Sequence, residues 1–426
     1  MIQRLRASDR FLYFILLWCV CSFKVLLGGV GEAGLRVDDL LILITFVILA
    51  LRGDLWKVPR SEALRAYLIF VLINFVSAAW NGWMGRVEFI YALLFTIRLV
   101  EYLVFYYLGY VLLAGGVRIW RGLRIYFYVL CVVVVLQSIR LIPVASKFNA
   151  VRASGNTNGP YELAVVAAFF LCYFGYQERK KLSAAAALIL LVMTASRVTF
   201  IGTAVGFVLR MISRSKTKLR LSAAIAAILL VAWAGSAWIQ SNPNTGENAE
   251  SLVNRLKSSS SSLSLQETRS LWDSVPTYRR AEDYFQGAFI DAGDFAFVSE
   301  RDASGMIRAY RWAALLKTAC SSFDSMIIGL GPSFGSAAVD GYFVRIFIEC
   351  GLAGLFAFGF FVRALLKRQS DTRCAFRDFV VVVLFTACFI DIFTSYKTML
   401  LLWLWNGMNE FSERQRGDAH SLSDAG

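Results

Sequence analysis

The chain has 426 residues, of which 58% are hydrophobic and 15% are aromatic, and its mean hydropathy is +0.58. A composition as apolar as this excludes an ordinary water-soluble globular protein. The formal net charge of +14 would suggest a nucleic-acid partner for a soluble protein. Here the positive residues follow the connections between apolar segments, as in membrane proteins, so we expect no nucleic-acid partner.

Apolar stretches long enough to cross a bilayer as helices recur along the chain. They predict an all-α integral membrane protein with about twelve transmembrane helices and one large, mostly helical loop. The predicted segments are approximately 11–29, 38–52, 63–80, 88–114, 122–143, 160–177, 181–195, 198–213, 219–240, 341–366, 377–393 and 396–409. The second, seventh, eighth and twelfth segments are short, so the predicted number of spans is twelve to within about one or two.

Basic residues are concentrated in alternate connections between these segments. More than half of the 44 lysines and arginines lie in the N-terminus, the C-terminal tail and the even-numbered connections. The odd-numbered connections, apart from the long loop, hold only a few each. Because positive residues stay on the cytoplasmic side, this pattern predicts cytoplasmic termini and an outward-facing long loop. It also favours an even number of spans.

The order of apolar and polar stretches divides the chain into four regions. They are an N-terminal bundle of about nine helices (1–240), a large polar loop (241–340), about three C-terminal helices (341–409) and a cytoplasmic tail (410–426). The loop combines a serine-rich stretch with two segments of helical character. We therefore expect a folded lid with one mobile part.

Several common kinds of chemistry are excluded by what the sequence lacks. The single histidine, His420, lies in the C-terminal tail, so neither a Ser-His-Asp triad nor a histidine-ligated metal is expected. No GxxxxGK[ST] phosphate loop is present, and the glycines of GLGPSFG have the wrong spacing and context for a dinucleotide fold. We therefore expect no metal and no cofactor, and any reaction must use carboxylates and arginines.

Charged side chains inside apolar segments are costly, so each needs an explanation. Arg98 and Glu101 lie three residues apart in the fourth segment, and Arg345 and Glu349 lie four apart in the tenth, so both sets predict pairs within a helix. Such pairs either neutralise each other and lock helices together, or line a hydrated cavity that binds an anionic substrate. Other ionisable residues near predicted helix ends, where they can reach the membrane interface, are Lys24, Asp39, Glu162, Asp391 and Lys397.

Four arginines lie on the predicted outer side of the membrane. Arg152 opens the turn RASGNTNGP, Arg197 follows the break TAS in an apolar run, and Arg308 and Arg311 belong to RAYRW in the loop. Guanidinium groups on one surface suit a diphosphate, which they bind in a bidentate manner. Ordinary explanations stay open: lipid-headgroup contact for Arg152, an interfacial anchor for Arg197, and a solvated helix face for Arg308 and Arg311.

Asp340 begins the tenth segment, beside Gly341 and Tyr342. The carboxylate either caps that helix or orients and deprotonates an attacking hydroxyl group of a polar substrate.

Several motifs in this order resemble the bacterial O-antigen polymerase and O-antigen ligase superfamily. They are RASGNTNGP, the TASR hairpin, RAYRW followed by IIGLGPSFG, and DGYFVRIFIECGLAG. The layout is also similar, because that superfamily has about twelve spans with one large periplasmic loop near the C-terminal third. The resemblance covers most of the chain, and its motifs are individually weak but fairly specific in their order.

The polymerase and ligase branches of the superfamily differ at the position that Asp340 occupies in this chain. Ligases carry a histidine followed by Asn, Ser or Gln, nine further residues and a spaced glycine pattern. In this chain the same spacing runs from Asp340 to Gly351 and Gly354, so aspartate stands in the histidine's place, as is more typical of polymerases. By position, Arg152, Arg197 and either Arg308 or Arg311 match family arginines, and Asp340 matches the proposed catalytic position.

The resemblance implies a metal-independent glycosyltransferase of the inner membrane that polymerises undecaprenyl-diphosphate-linked repeat units at the periplasmic face. It implies Asp340, Arg308 and Arg311 as catalytic residues; the expected diphosphate ligands are Arg152, Arg197, Arg98 and Arg345, with Glu101 and Glu349 as supporting acids. The expected partners are the lipid-linked glycan donor and acceptor, membrane lipid, and a flippase and a chain-length regulator of the same pathway. The alternatives are an O-antigen ligase that transfers glycan to the lipid A core, and a polysaccharide or glycolipid transporter.

Overall fold

The computed structural model describes residues 7–22, 26–28, 35–143, 153–214, 265–287, 303–335, 339–367 and 373–424. The ninth predicted segment (219–240), the serine-rich stretch of the loop and Arg152 lie outside these residues. Apart from one short antiparallel pair of strands, the regular structure described is helical, which confirms the all-α class.

The strands are β1 (Leu26–Gly28) and β2 (Leu35–Arg36). The helices of the N-terminal part are α1 (Ala7–Cys21), α2 (Val37–Leu51), α3 (Asp54–Lys57), α4 (Glu62–Trp83), α5 (Phe89–Glu101), α6 (Val104–Ala114), α7 (Ile119–Ser138), α8 (Pro160–Cys172) with a π-helical continuation (Tyr173–Glu178), α9 (Lys181–Met193) and α10 (Arg197–Arg214). The remaining helices are α11 (Leu265–Ser274), α12 (Ala281–Gln286), α13 (Ala303–Ala319), α14 (Phe323–Ile328), α15 (Tyr342–Leu366), α16 (Arg373–Ala387), a 3₁₀ turn (Ile392–Thr394) and α17 (Tyr396–Asp424).

Within the described ranges, four helical stretches are long and apolar enough to cross a membrane: Glu62–Trp83, Phe89–Ala114, Ile119–Ser138 and Tyr342–Leu366. They coincide with the third, fourth, fifth and tenth predicted segments. Stretches of 20 to 26 residues rise about 30 Å or more as helices, which matches the hydrocarbon thickness of a bilayer. They indicate a multi-pass membrane protein.

The prediction of about twelve spans is therefore wrong for the part of the chain that the structure describes. Helices α1 and α2 have 15 residues each, and α9 has 13. Helices of this length rise only about 20–22 Å, which is less than the roughly 30 Å of hydrocarbon. Helix α17 is longer, but its second half is polar and continues to Asp424.

Close backbone contact joins α6 to α17 in the centre of the bundle. A Cβ atom at Gly109 would overlap the carbonyl oxygen of Leu404, and one at Gly407 would overlap that of Tyr106. Small residues at a helix crossing let two backbones approach in this way.

Helix α15 has a kink that receives the turn after α14. Gly351 has a non-helical φ of 63°, a conformation that favours glycine. The turn uses carbonyls at the kink, because Leu330 N donates to Ile348 O at 2.7 Å and Gly331 N donates to Glu349 O at 3.1 Å. The motif IIGLGPSFG is thus held against α15 by backbone hydrogen bonds.

The loop helices α11 to α14 have a small hydrophobic core of their own. It includes Leu271, Tyr284, Leu315 and Phe334 and continues into the bundle at Ile348. It places α13 beside the N-terminal end of α15.

Candidate functional site

The candidate site lies at the N-terminal end of α15, where three segments of the chain meet. They are α13 of the loop, the corner at residues 339–341, and the turn at 388–395 between α16 and α17. Helix α4 runs antiparallel to α15, because Lys367 at the other end of α15 contacts Glu62 at 2.6 Å while Ser77 donates to Glu349 O. The site is therefore at the opposite end of the bundle from Lys367.

Arg308 and Asp340 form an ion pair at this end. Arg308 Nε donates to Asp340 Oδ2 at 3.2 Å, and the two side chains are 29% and 39% exposed. Asp340 is not the helix cap, since Gly341 occupies that position. Trp312 Nε1 donates to Val339 O at 2.7 Å, which holds the corner against α13. The pair is thus accessible to a solute and fixed to a rigid helix.

Arg345 is held by two carboxylates beneath this pair. Its Nη1 donates to Glu349 Oε1 at 3.0 Å, which confirms the predicted pair four residues apart. Its Nε and Nη2 donate to Asp391 Oδ2 at 3.0 and 2.7 Å. The Arg345 side chain is 3% exposed. Because these donors face acids in the interior, the geometry favours the neutralising interpretation of this pair over direct contact with a substrate.

Asp391 joins the buried network to the exposed pair. Its Oδ1 accepts a hydrogen bond from Gly341 N at 3.3 Å, directly after Asp340 in the chain. Glu349 is fixed in a similar way, because its Oε1 accepts from Ser333 N at 3.2 Å. The two clusters therefore form one connected polar site.

A small cavity of about 30 Å³ lies beside Arg345 and Glu349. It has room for water but not for a diphosphate group. Helix α5 contributes Phe95 and Leu99 to its lining, and the same helix carries Arg98 and Glu101, which are both half-buried. Their predicted role in diphosphate binding stays a prediction.

Arg311 lies one helical turn from Arg308 and close to Tyr284 of the loop core. Burial raises the pKa of Tyr284 to about 12, and the positive charges of Arg311 and Arg345 oppose that rise.

Arg197 lies at the same end of the bundle as Asp391. Helices α10 and α16 run antiparallel, because Gly202 faces Phe385 while Arg210 pairs with Asp378. The start of α10 is thus beside the end of α16, which leads into the turn of Asp391. The TASR hairpin is tight, with Ala195 at a φ of 48°. Whether Arg197 binds a diphosphate stays a prediction, as it does for Arg152.

A second buried polar cluster surrounds Lys397, just past Asp391. Lys397 Nζ donates to the carbonyl oxygens of Val20 and Ser22, both at 2.9 Å. Glu162 Oε1 accepts from Lys397 N at 2.8 Å and from Ser395 Oγ at 2.6 Å. The expectation that Glu162 and Lys397 reach the membrane interface is wrong, since they are 4% and 5% exposed.

Sequence reasoning gave no functional weight to Asp391, Glu162 and Lys397. The available signal was the cost of a charge within an apolar segment, but the partners of these residues come from distant parts of the chain. In the described ranges, no group of three or more His, Cys, Asp and Glu side chains is arranged to hold a metal ion.

Comparison of the sequence with protein-family models gives no match, and comparison with curated proteins gives none either. The functional interpretation therefore depends on the residues and their geometry.

Proposed function

We propose that the protein is a membrane glycosyltransferase that polymerises undecaprenyl-diphosphate-linked oligosaccharide repeat units at the periplasmic face of the bacterial inner membrane. The observation that carries the proposal is the Arg308–Asp340 pair. It is half-exposed, lies where the loop helices meet a membrane-spanning helix, and is backed by a buried charge network. In the proposed topology both termini are cytoplasmic, in agreement with the distribution of basic residues.

In the proposed reaction, the terminal sugar hydroxyl of a new lipid-linked unit attacks the anomeric carbon of the growing glycan. The new glycosidic C–O bond forms as the bond between that carbon and the lipid diphosphate breaks. Asp340 accepts the proton of the attacking hydroxyl. The electron pair of the broken bond leaves on the diphosphate, whose negative charge is stabilised by arginines.

Arg308 and Arg311 are the arginines best placed for this role. They belong to one helix of the loop, and Arg308 contacts the proposed base directly. A diphosphate that binds Arg308 would weaken this contact and make the carboxylate available to the hydroxyl. Arg345 then belongs to the framework, since two acids already surround it.

The direct test uses the purified protein in lipid nanodiscs with a lipid-diphosphate-linked repeat unit as the only substrate. The proposal predicts a ladder of glycan lengths without ATP or divalent metal. Asp340→Asn should reduce its rate by about 10²–10⁴-fold, the usual contribution of a general base. The matched control is Glu62→Gln, which removes an exposed carboxylate from an ion pair at the other end of the bundle.

Two results would contradict the proposal in different ways. A wild-type protein that produces no ladder would reject the polymerase function. A ladder undiminished by Asp340→Asn would remove Asp340 from the reaction.

A further inference from the structure

We propose that Asp391 is a positioning residue that sets the direction of the Asp340 carboxylate by holding the backbone corner at Gly341. This role deepens the proposed function and rests on it for its catalytic consequence. The structural part, control of the corner by Asp391, can be tested without any enzymatic activity.

The two carboxylate oxygens of Asp391 serve different segments. Oδ2 accepts both contacts from Arg345, whereas Oδ1 accepts the backbone N–H of Gly341. The side chain is only 11% exposed. Asp391 therefore acts from below the site, through Arg345 and the backbone, and does not reach the half-exposed face where substrate would bind.

The corner that it holds has an unusual backbone conformation. Asp340 has a φ of 51°, and Gly341 follows with a φ of 139°. A non-glycine residue in the left-handed region is strained and persists only where its surroundings enforce it. In the described residues, hydrogen bonds hold the corner from both sides. Trp312 Nε1 donates to Val339 O on one side, and Gly341 N donates to Asp391 Oδ1 on the other.

Loss of Asp391 should release the corner without dismantling the helix beneath it. Arg345 would keep its contact with Glu349, and Glu349 would keep the N–H of Ser333. At the corner, only the backbone N–H of Gly341 would lose its hydrogen-bond acceptor. A carboxylate that is displaced by about 1 Å from its substrate loses rate by roughly 10²-fold, so the effect should appear in kcat.

The chain offers a matched control in Asp378. This residue is also a buried aspartate paired with an arginine, Arg210, but it lies on α16 away from the corner. Asp391→Ala and Asp378→Ala each remove one carboxylate from a buried arginine. Only Asp391→Ala should change the corner. Asp391→Leu, which also lacks an acceptor for the Gly341 N–H, replaces it if the alanine protein does not fold.

The first measurement is hydrogen–deuterium exchange of the peptide that contains residues 339–345. We expect faster exchange in Asp391→Ala than in the wild type and in Asp378→Ala. Equal exchange in all three proteins would overturn the positioning role, whatever the enzymatic result.

The second measurement separates kcat from KM in the polymerisation assay. We expect kcat to fall by roughly 10- to 100-fold in Asp391→Ala, with KM for the lipid-linked donor unchanged and partial recovery in Asp391→Glu. A kcat equal to that of Asp378→Ala, or a change confined to KM, would overturn the role. Faster exchange at the corner in a protein that lacks polymerase activity would instead reject the proposed function and retain the structural role.

Discussion

Two buried polar clusters lie on either side of the segment 391–397, and they use their charges differently. In the first cluster the Arg345 guanidinium bonds to the carboxylates of Glu349 and Asp391. In the second, the Lys397 ammonium bonds to backbone carbonyls and the Glu162 carboxylate bonds to backbone N–H groups and a serine. The first cluster combines contacts between charged side chains with backbone contacts at Gly341 and Ser333. The contacts of Lys397 and Glu162 described here go to main-chain groups and a serine.

Under the proposed function, the first cluster serves the site and the second serves the fold. Contacts with backbone groups tie chain segments together, and the Lys397 cluster connects the end of α1 to the start of α17 in this way. Contacts between charged side chains fix the orientation of a side chain instead. The Arg345 cluster lies directly beneath the half-exposed Arg308–Asp340 pair, where orientation matters most for chemistry.

The largest expected effect comes from breaking the first cluster. Arg345→Met would leave Glu349 and Asp391 buried without their cation, which should lower the free energy of unfolding by about 3–5 kcal/mol. Thermal unfolding in detergent measures this change. Lys367→Met is the control, because its pair with Glu62 is about half exposed and should contribute less than about 1 kcal/mol. Equal losses in the two variants would contradict the framework role of Arg345.

In the second cluster, Lys397→Met should lower the free energy of unfolding by less than Arg345→Met does. It should also affect hydrogen exchange and kcat differently. Removing a charged donor from the carbonyls of Val20 and Ser22 should lower stability by about 1.5–3 kcal/mol. Because this cluster serves the fold, kcat of the folded fraction should stay unchanged while hydrogen exchange at the end of α1 increases. A fall in kcat without a loss of stability would reverse the assignment of the two clusters.

The kink of α15 places Glu349 for the first cluster, and Gly351→Ala tests it. A Cβ atom there would meet the backbone of Ile327 and Gly329 at a φ of 63°, so we expect a loss of about 1–3 kcal/mol from overpacking. Gly359→Ala is the control on the same helix, since a Cβ there has open space and no positive φ. It should be neutral or slightly stabilising because alanine has the higher helix propensity.

The smallest effect concerns a partly exposed ion pair, in which Arg86 Nη2 donates to Asp324 at 2.6 Å and holds the loop helices on the bundle. The Ser322 hydroxyl, together with Arg86, lowers the pKa of Asp324 from 3.8 to about 2. A lowered folded-state pKa stabilises the protein above the unfolded value, and this contribution disappears as the pH falls from about 4 to about 2. Because the Asp324 side chain is 33% exposed, the change should stay below about 1 kcal/mol.

The measurement is the unfolding temperature as a function of pH for wild type and Asp324→Asn. The difference between the two proteins should shrink toward pH 2. A difference that is constant across this range would exclude ionisation of Asp324 as its cause.

The sequence by itself determined the local features of this protein. Apolar stretches predicted the helical class and the positions of the four helices that can span a membrane. Helical periodicity predicted that Arg345 meets Glu349, because residues four apart share one helix face. The break at TASR predicted the hairpin between α9 and α10. Hydropathy overestimated the number of spans, since an apolar stretch does not reveal where its helix ends or changes form, as at Cys172.

Only the tertiary structure decided which distant groups meet. Asp391 lies 46 residues from Arg345, and Glu162 lies 235 residues from Lys397. The pairing of Asp340 with Arg308, 32 residues apart, depends on a left-handed backbone corner that a helical or alternating sequence pattern does not specify. Helical periodicity acts over one or two turns, whereas these contacts depend on how whole helices pack, and packing is set jointly by side chains from every helix in the bundle.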